Sequence, residues 1–157
     1  MRKTLFFTFL ILFLAGCSPG APKNDPVRAE EAARDFYGHL AAGRYNQAAA
    51  LYGGDYAELG AVNPEIPLED GAALWQAACE VNGYQCLPVL EVLDVEVFSL
   101  NEFFLTVTFR APDGSAFVLG PCCGASEEMM PPLSEFQVHV IRQGQAYKVT
   151  SAPPYVP

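Results

Sequence analysis

The sequence is poor in basic residues and in histidine, and it lacks the usual short motifs of catalysis. It has 9 Lys and Arg residues against 18 Asp and Glu, which gives a formal charge of −9 at pH 7, and it has 2 His. An acidic surface repels phosphate backbones, so nucleic acid is disfavoured as a partner. There is no Gly-rich phosphate loop, no nucleophile elbow and no usual spacing of metal ligands. The sequence therefore predicts neither a cofactor nor a metal.

Long apolar runs are also scarce, and the one that is present lies at the N-terminus. Leu5 to Leu14 is apolar except for Thr8, and it follows Arg2 and Lys3. A run of about ten residues is too short to cross a bilayer, which needs roughly 20. A basic start, a short apolar segment and small residues at its end are typical of a secretory signal.

The apolar run ends in "LAGC", at residues 14–17, which resembles the lipobox of bacterial lipoproteins. The resemblance implies that residues 1–16 are a signal peptide and that Cys17 receives the lipid and becomes the mature N-terminus. The mature chain is then anchored to a membrane of the cell envelope, outside the cytoplasm. Ser18, where Asp would favour inner-membrane retention, implies the outer membrane if the source has one. Residues 17–25 are rich in Pro, Gly and polar residues and read as a tether.

The mature chain of roughly 140 residues is long enough for one domain and too short for two. We place this domain at residues 26–157. Helical spacing of apolar residues predicts three helices, over residues 25–43, 44–54 and 67–79. Asp25 and Pro26 are suited to a helix start. Between the second and third helices the sequence predicts a loop, and a short hairpin is the alternative.

After Cys86 the apolar pattern alternates, which is typical of strands. Strands are predicted over residues 89–98 and 103–109. A Pro-Asp-Gly turn then returns the chain into residues 115–120, and a final hairpin joins residues 134–142 to 146–151. Helices followed by an antiparallel meander predict an α+β domain.

This layout, with "AGRYNQAAALY" after the first helix and "QGQAYKVTS" at the end of the sheet, is similar to the NTF2-like superfamily. The resemblance implies a cystatin-like cone, in which about three N-terminal helices pack on a curved antiparallel sheet around an apolar pocket. The hairpin that usually precedes the third helix in that superfamily is not evident here. Enzymes of the superfamily place an Asp or His in the pocket opposite an acid or a Tyr.

Few residues of this chain are suited to that chemistry. His39 follows Phe36 by three positions and reads as a partly exposed helix residue. His139 alternates with valines, so its side chain faces away from theirs. Asp94 and Glu96 share one sheet face and read as a solvated pair. Candidate residues for a pocket are the aromatic residues Tyr52, Trp75 and Tyr84, together with His139.

Because no acid–base pair is evident, the sequence favours a membrane-anchored, non-catalytic domain that binds a small apolar ligand or an envelope protein. A proton-transfer enzyme of the isomerase or dehydratase type is the alternative. A structural envelope module without a ligand is a third hypothesis, which the sequence does not separate from the first.

Apart from Cys17, the chain has an even set of cysteines, Cys79, Cys86, Cys122 and Cys123. In an oxidising compartment an even set predicts a disulfide framework, with three pairings open. A bond between the adjacent Cys122 and Cys123 is disfavoured, because neighbouring Cα atoms lie about 3.8 Å apart and disulfides prefer roughly 4.4–6.8 Å. The sequence therefore favours the two crossed pairings, which join the end of the third helix to the "GPCCG" loop.

Overall fold

Four helices precede four strands in the computed structural model, which describes residues 25–156. The helices are α1 (Asp25–Ala41), α2 (Tyr45–Leu51), α3 (Ala57–Val62) and α4 (Gly71–Glu80). The strands are β1 (Val89–Val97), β2 (Glu102–Phe109), β3 (Phe136–Gln143) and β4 (Ala146–Val149). The predicted α+β class is confirmed. The expected signal peptide, Cys17 and all of the tether before Asp25 lie outside the described residues.

The strands form one open antiparallel sheet in the order β1-β2-β3-β4, as expected for a meander. Buried and half-buried residues alternate along the whole length of β2. One face of the sheet is therefore buried, and we call it the inner face. Phe103, Leu105, Val107 and Phe109 are buried, and their neighbours face the opposite side. The inner face packs against α1.

Helix α1 packs along the inner face of the sheet through six buried residues at helical spacing: Ala29, Ala32, Ala33, Phe36, Tyr37 and Leu40. The helix stops two residues before Gly43, whose φ of 67° is the left-handed conformation that glycine adopts without a steric cost. The Asp25 carboxylate, at the first residue of α1, accepts hydrogen bonds from Tyr147 and Arg142.

A helix, α3, occupies the segment for which a loop or a hairpin was expected, so that expectation is wrong. The backbone N–H of Ala57 donates to Asp55 Oδ1 at 2.9 Å, and this contact supports the start of the helix. Leu59 is the buried residue of the helix. A helix of six residues with one buried side chain has no apolar periodicity that the sequence could reveal.

The return strand expected over residues 115–120 is likewise not formed. The Pro-Asp-Gly turn is present, with the Gly114 N–H donating to the Ala111 carbonyl at 2.9 Å. Beyond it the chain makes only isolated bridges, from Arg110 to Ala116 and from Leu119 to Leu133. Gly120 and Pro121 interrupt the pattern that a continuous strand requires.

The disulfide of the structure joins Cys79 to Cys86, so the crossed pairings are wrong. Past the end of α4 the chain turns at Gly83, which has a φ of 85°, and comes back alongside the helix. This reversal brings the Cα atoms of Cys79 and Cys86 to 5.5 Å, within the usual disulfide range. Cys122 and Cys123 lie in the loop between β2 and β3 and are not bonded to either residue.

Candidate functional site

The sequence marks four residues as pocket candidates, and three of them come together where the end of α2 packs on α4. Tyr52 follows α2, Trp75 lies within α4, and Tyr84 follows α4. The rings of Tyr52 and Trp75 meet edge to face with their centroids 5.0 Å apart. Phe36 of α1 packs on Trp75 with a centroid distance of 5.5 Å. The cluster thus joins both helices to α1.

Tyr52, Trp75 and Tyr84 all line one recess of about 330 Å³, which we call the inner cavity. Trp75 is fully buried and forms part of the floor of this cavity. The remaining lining comes from the segment around α3 and from the chain after β4: Gly54, Asp55, Glu58, Leu59, Thr150 and Ala152.

A larger recess of about 600 Å³, the outer cleft, adjoins the inner cavity and shares Glu58 and Tyr84 with it. Its other lining residues come from the ends of α3 and α4 and from the C-terminal segment: Val62, Val81, Asn82, Gly83, Tyr155 and Val156. Four of these are exposed large apolar residues, with Val81 at 78% and Val62 at 60% exposure. Such a clustered apolar surface marks an interaction site more often than scattered exposed residues do.

Both tyrosines of the inner cavity keep their protons at neutral pH. Burial, reinforced by the Asp55 carboxylate, raises the pKa of Tyr52 to about 12. Burial and then the Glu58 carboxylate raise the pKa of Tyr84. The Tyr52 hydroxyl donates to the backbone carbonyl of Asp55 at 3.2 Å.

The indole of Trp75 makes no well-formed hydrogen bond, although its Nε1 is buried. Burial raises the pKa of Tyr56, and the contact of its hydroxyl with the Trp75 indole partly offsets this increase.

His139 does not join the aromatic residues at the inner cavity. Val138 and Val140 are buried on the inner face, and His139 faces the other side of the sheet, as the alternation predicted. There its ring stacks on Phe104 with the centroids 4.6 Å apart. Its Nδ1 lies 2.8 Å from the hydroxyl oxygen of Thr150, which is itself a lining residue of the cavity.

The remaining polar candidates lie elsewhere. His39 is in the last turn of α1, where its Nδ1 accepts a hydrogen bond from Arg44 Nε at 2.9 Å. Asp94 and Glu96 pair with Thr106 and Phe104 and are exposed on one face of the sheet, as predicted. Within residues 25–156 no cluster of three or more His, Cys, Asp or Glu side chains is arranged to hold a metal ion.

The two ends of α1 have different surroundings. At the N-terminal end, Arg28 Nη2 donates to the carbonyl of Gln145 at 2.6 Å, beside the contacts of Asp25 with β3 and β4. At the C-terminal end, Leu40 and Ala41 border a further recess together with Val81 and Tyr84. The outer cleft therefore adjoins the end of α1 that is farther from the N-terminus of the chain.

The family model for the prokaryotic membrane lipoprotein lipid attachment site matches residues 1–18. The chain is therefore a lipoprotein, held in the cell envelope by an N-terminal lipid. No curated protein sequence is significantly similar to it. In the described part, from Asp25 to Val156, no helix has both the length and the hydrophobicity to cross a bilayer.

Proposed function

We propose that this lipoprotein is a non-catalytic binding domain that holds a small apolar ligand in the inner cavity and the outer cleft. The observation that carries the proposal is that Tyr52, Trp75 and Tyr84, from separate parts of the chain, line one recess. Aromatic walls with a few convergent polar groups are typical of sites for small apolar molecules.

The charges of the lining residues narrow the chemistry of the ligand. Asp55 and Glu58 are the charged lining residues of the inner cavity, and Glu58 also lines the outer cleft. Among residues 25–156, no Lys, Arg or His lines either recess. A carboxylate or phosphate head group would be repelled there, so we infer a ligand with an apolar body and a neutral or cationic head.

Proton transfer remains the alternative and has less support from the contacts of His139. Its Nδ1 is engaged by Thr150, and it stacks on Phe104 outside the cavity. A general base must come within hydrogen-bond reach of its substrate. Thr150 separates His139 from the cavity, so we assign the histidine no catalytic role.

We further propose that the domain is an NTF2-like cone spanning residues 26–157 and that the anchor lies in the outer membrane where the source has one. The packing of α1 along the inner face of the sheet supports the cone. In that arrangement α3 occupies the place where the superfamily usually has a hairpin. The residue after Cys17 is Ser and not Asp, which supports the outer membrane.

The fluorescence of Trp75 tests the binding proposal directly, because it is the single tryptophan of the chain and forms part of the cavity floor. The mature protein is titrated with decanol, decylamine and decanoate, which share a chain length and differ in the head group. Decanol and decylamine should change the emission in a saturable way. Decanoate should bind at least several-fold more weakly because of Glu58 and Asp55.

Two variants make the result specific. Glu58→Gln should improve decanoate binding and weaken decylamine binding, since it removes one negative charge from both recesses. Tyr84→Ala should weaken all three, whereas Phe98→Ala should change none of them. Phe98 is a matched control, because it is an aromatic residue, 65% exposed, that packs on Phe104 away from both recesses. Emission that changes with none of the probes, or binding that is weakened as much in the Phe98 variant as in the Tyr84 variant, would contradict the proposal.

A further inference from the structure

The loop between β2 and β3 holds Cys122 and Cys123 in a tight turn. The backbone N–H of Ala125 donates to the Cys122 carbonyl at 2.9 Å. The two central residues, Cys123 and Gly124, have φ values of 59° and 83°, as in a type I′ turn. Across residues 25–156, Cys123 is the single non-glycine residue with a positive φ. A side chain held in this sparsely populated conformation is a reason to look for a function.

The turn brings the two sulfur atoms together. Cys122 Sγ and Cys123 Sγ lie 2.8 Å apart, about 0.8 Å beyond the length of a disulfide bond. The other two cysteines of the domain, Cys79 and Cys86, are already joined to each other. For each thiol of the turn, the neighbouring cysteine is thus the partner within reach.

We propose that Cys122 and Cys123 are a covalent modification site, oxidised to a vicinal disulfide in the mature lipoprotein. The lipid attachment site places the domain outside the cytoplasm, where disulfides form and persist. The proposal does not depend on the ligand proposed above. The close spacing of neighbouring Cα atoms disfavours such a bond in the sequence. In the turn, however, the two sulfur atoms already lie close together.

The oxidation proceeds by exchange with a disulfide-bearing oxidant, such as an envelope thiol–disulfide oxidoreductase or glutathione disulfide. Cys123 is exposed, whereas Cys122 is half-buried, so the Cys123 thiolate attacks the oxidant first and forms a mixed disulfide. The Cys122 thiolate then attacks Cys123 Sγ and releases the oxidant as a thiol. The first attack breaks the S–S bond of the oxidant and releases one of its sulfurs as a thiol, and the second attack releases the other. One S–S bond is thus broken and one is formed, and the two protons and two electrons of the cysteines pass to the oxidant. The contact with Cys123 raises the pKa of the Cys122 thiol, which is consistent with this order.

The vicinal bond would alter a further recess of the domain, separate from those described above. This apolar cavity of about 400 Å³ is lined by Cys122 together with Pro121, Phe117, Met130 and Tyr155, among others. Tyr155 also lines the outer cleft. Oxidation removes the polar S–H group of Cys122 from the wall of this cavity and fixes the turn by a second covalent connection. The modified turn then forms a permanent apolar rim.

The test uses the full-length lipoprotein isolated from envelopes after acid quenching of its thiols. It is alkylated, digested without reductant and analysed by mass spectrometry. The peptide that holds Cys122 and Cys123 should carry no alkyl group and should be lighter than the dithiol by two hydrogen atoms. After reduction, the same peptide should gain two alkyl groups. The peptides of Cys79 and Cys86 serve as an internal control, since they should be found joined to each other.

Two variants complete the design. In Cys122→Ser, the remaining Cys123 thiol should become alkylated or joined to glutathione, which shows that it is accessible. In the double variant Cys79→Ser/Cys86→Ser, the vicinal bond should persist, because it does not involve those residues. Two alkylated thiols in the native protein would overturn the proposal, as would a peptide that joins Cys122 or Cys123 to Cys79 or Cys86.

Discussion

The hydroxyl of Tyr147, on β4, donates a hydrogen bond of 2.6 Å to Oδ1 of Asp25, the first residue of α1. The other carboxylate oxygen, Oδ2, is 3.2 Å from Nη1 of Arg142 on β3. The guanidinium of Arg28 lies over the ring of Tyr147, 4.7 Å from its centroid. These contacts join the start of α1, at the first described residue, to the last hairpin of the sheet.

Removing the Tyr147 hydroxyl should therefore lower the free energy of unfolding. A hydrogen bond to a charged group contributes about 1.5–3 kcal/mol, and partial exposure of Asp25 places Tyr147→Phe at the lower end. Asp25→Ala should cost more, because it also leaves Arg142 without its carboxylate. A double-mutant cycle in urea should give a coupling energy of about 1 kcal/mol between positions 25 and 147. A coupling of zero would show that the contact contributes nothing to stability.

Two glycines within helices should respond to alanine in opposite directions. Gly38, in α1, has no atom within 4 Å of the position that a Cβ would occupy. Gly38→Ala should stabilise the domain by about 0.5–1 kcal/mol through helix propensity. At Gly71, the first residue of α4, a Cβ would collide with the hydroxyl of Tyr56. Gly71→Ala should therefore be destabilising, and its cost should be smaller in a Tyr56→Ala background, which removes the ring carbon that the Cβ would also meet. Thermal unfolding of these variants measures both effects, and a destabilised Gly38 variant would contradict the first.

Buried tyrosines should make the domain less stable in alkali. Burial raises the pKa of Tyr37 above its usual value of 10.0, and that of Tyr52 to about 12. In the unfolded chain both titrate near pH 10, so the folded state binds more protons above that pH. The stability that these two tyrosines contribute is fully present below pH 10. It is lost as the pH rises toward their pKa values in the folded state. Urea unfolding at about pH 8 and pH 11 should show a loss of stability.

The alkaline loss should be smaller in Tyr37→Phe than in the natural protein. The same variant should be less stable by about 1 kcal/mol at neutral pH, because the Tyr37 hydroxyl donates to the carbonyl of Ser151 at 3.1 Å. An equal alkaline loss in both proteins would assign the effect to other groups.

Cys17 is expected to carry the lipid, since it closes the lipobox within the matched attachment site. Metabolic labelling with a fatty-acid analogue should mark the natural protein and leave Cys17→Ser unlabelled. Ser18→Ala serves as the control and should remain labelled. Label retained by the Cys17 variant would disprove the assignment.

Much of the fold follows from apolar spacing, where each element buries enough residues to reveal its period. Helix α1 has six such residues, and β2 alternates over eight positions, so both could be placed from the sequence. Helix α3 buries only Leu59. Its start depends on the contact of Asp55 with Ala57, which leaves no periodic pattern.

The site was predictable only in its aromatic part. Tyr52, Trp75 and Tyr84 attract attention by residue type, but Glu58 and Thr150 are ordinary until tertiary packing brings α3 and the end of β4 to the same recess. The disulfide pairing depends on the reversal at Gly83, where a Cβ would collide with the carbonyl oxygen of Val156. A contact with the far end of the chain cannot be inferred from local sequence.

The position of Asp25 shortly after Cys17, and the opening of the outer cleft near the other end of α1, limit the distance between that cleft and the membrane. Asp25 lies eight positions after Cys17, and eight fully extended steps of the chain span at most about 28 Å. Helix α1, of 17 residues, adds about 25 Å. The mouth of the cleft therefore samples a layer no deeper than roughly 50 Å above the lipid surface. A ligand of the proposed site must come within that layer to bind, and lengthening the segment between Cys17 and Asp25 would widen the layer without altering the site.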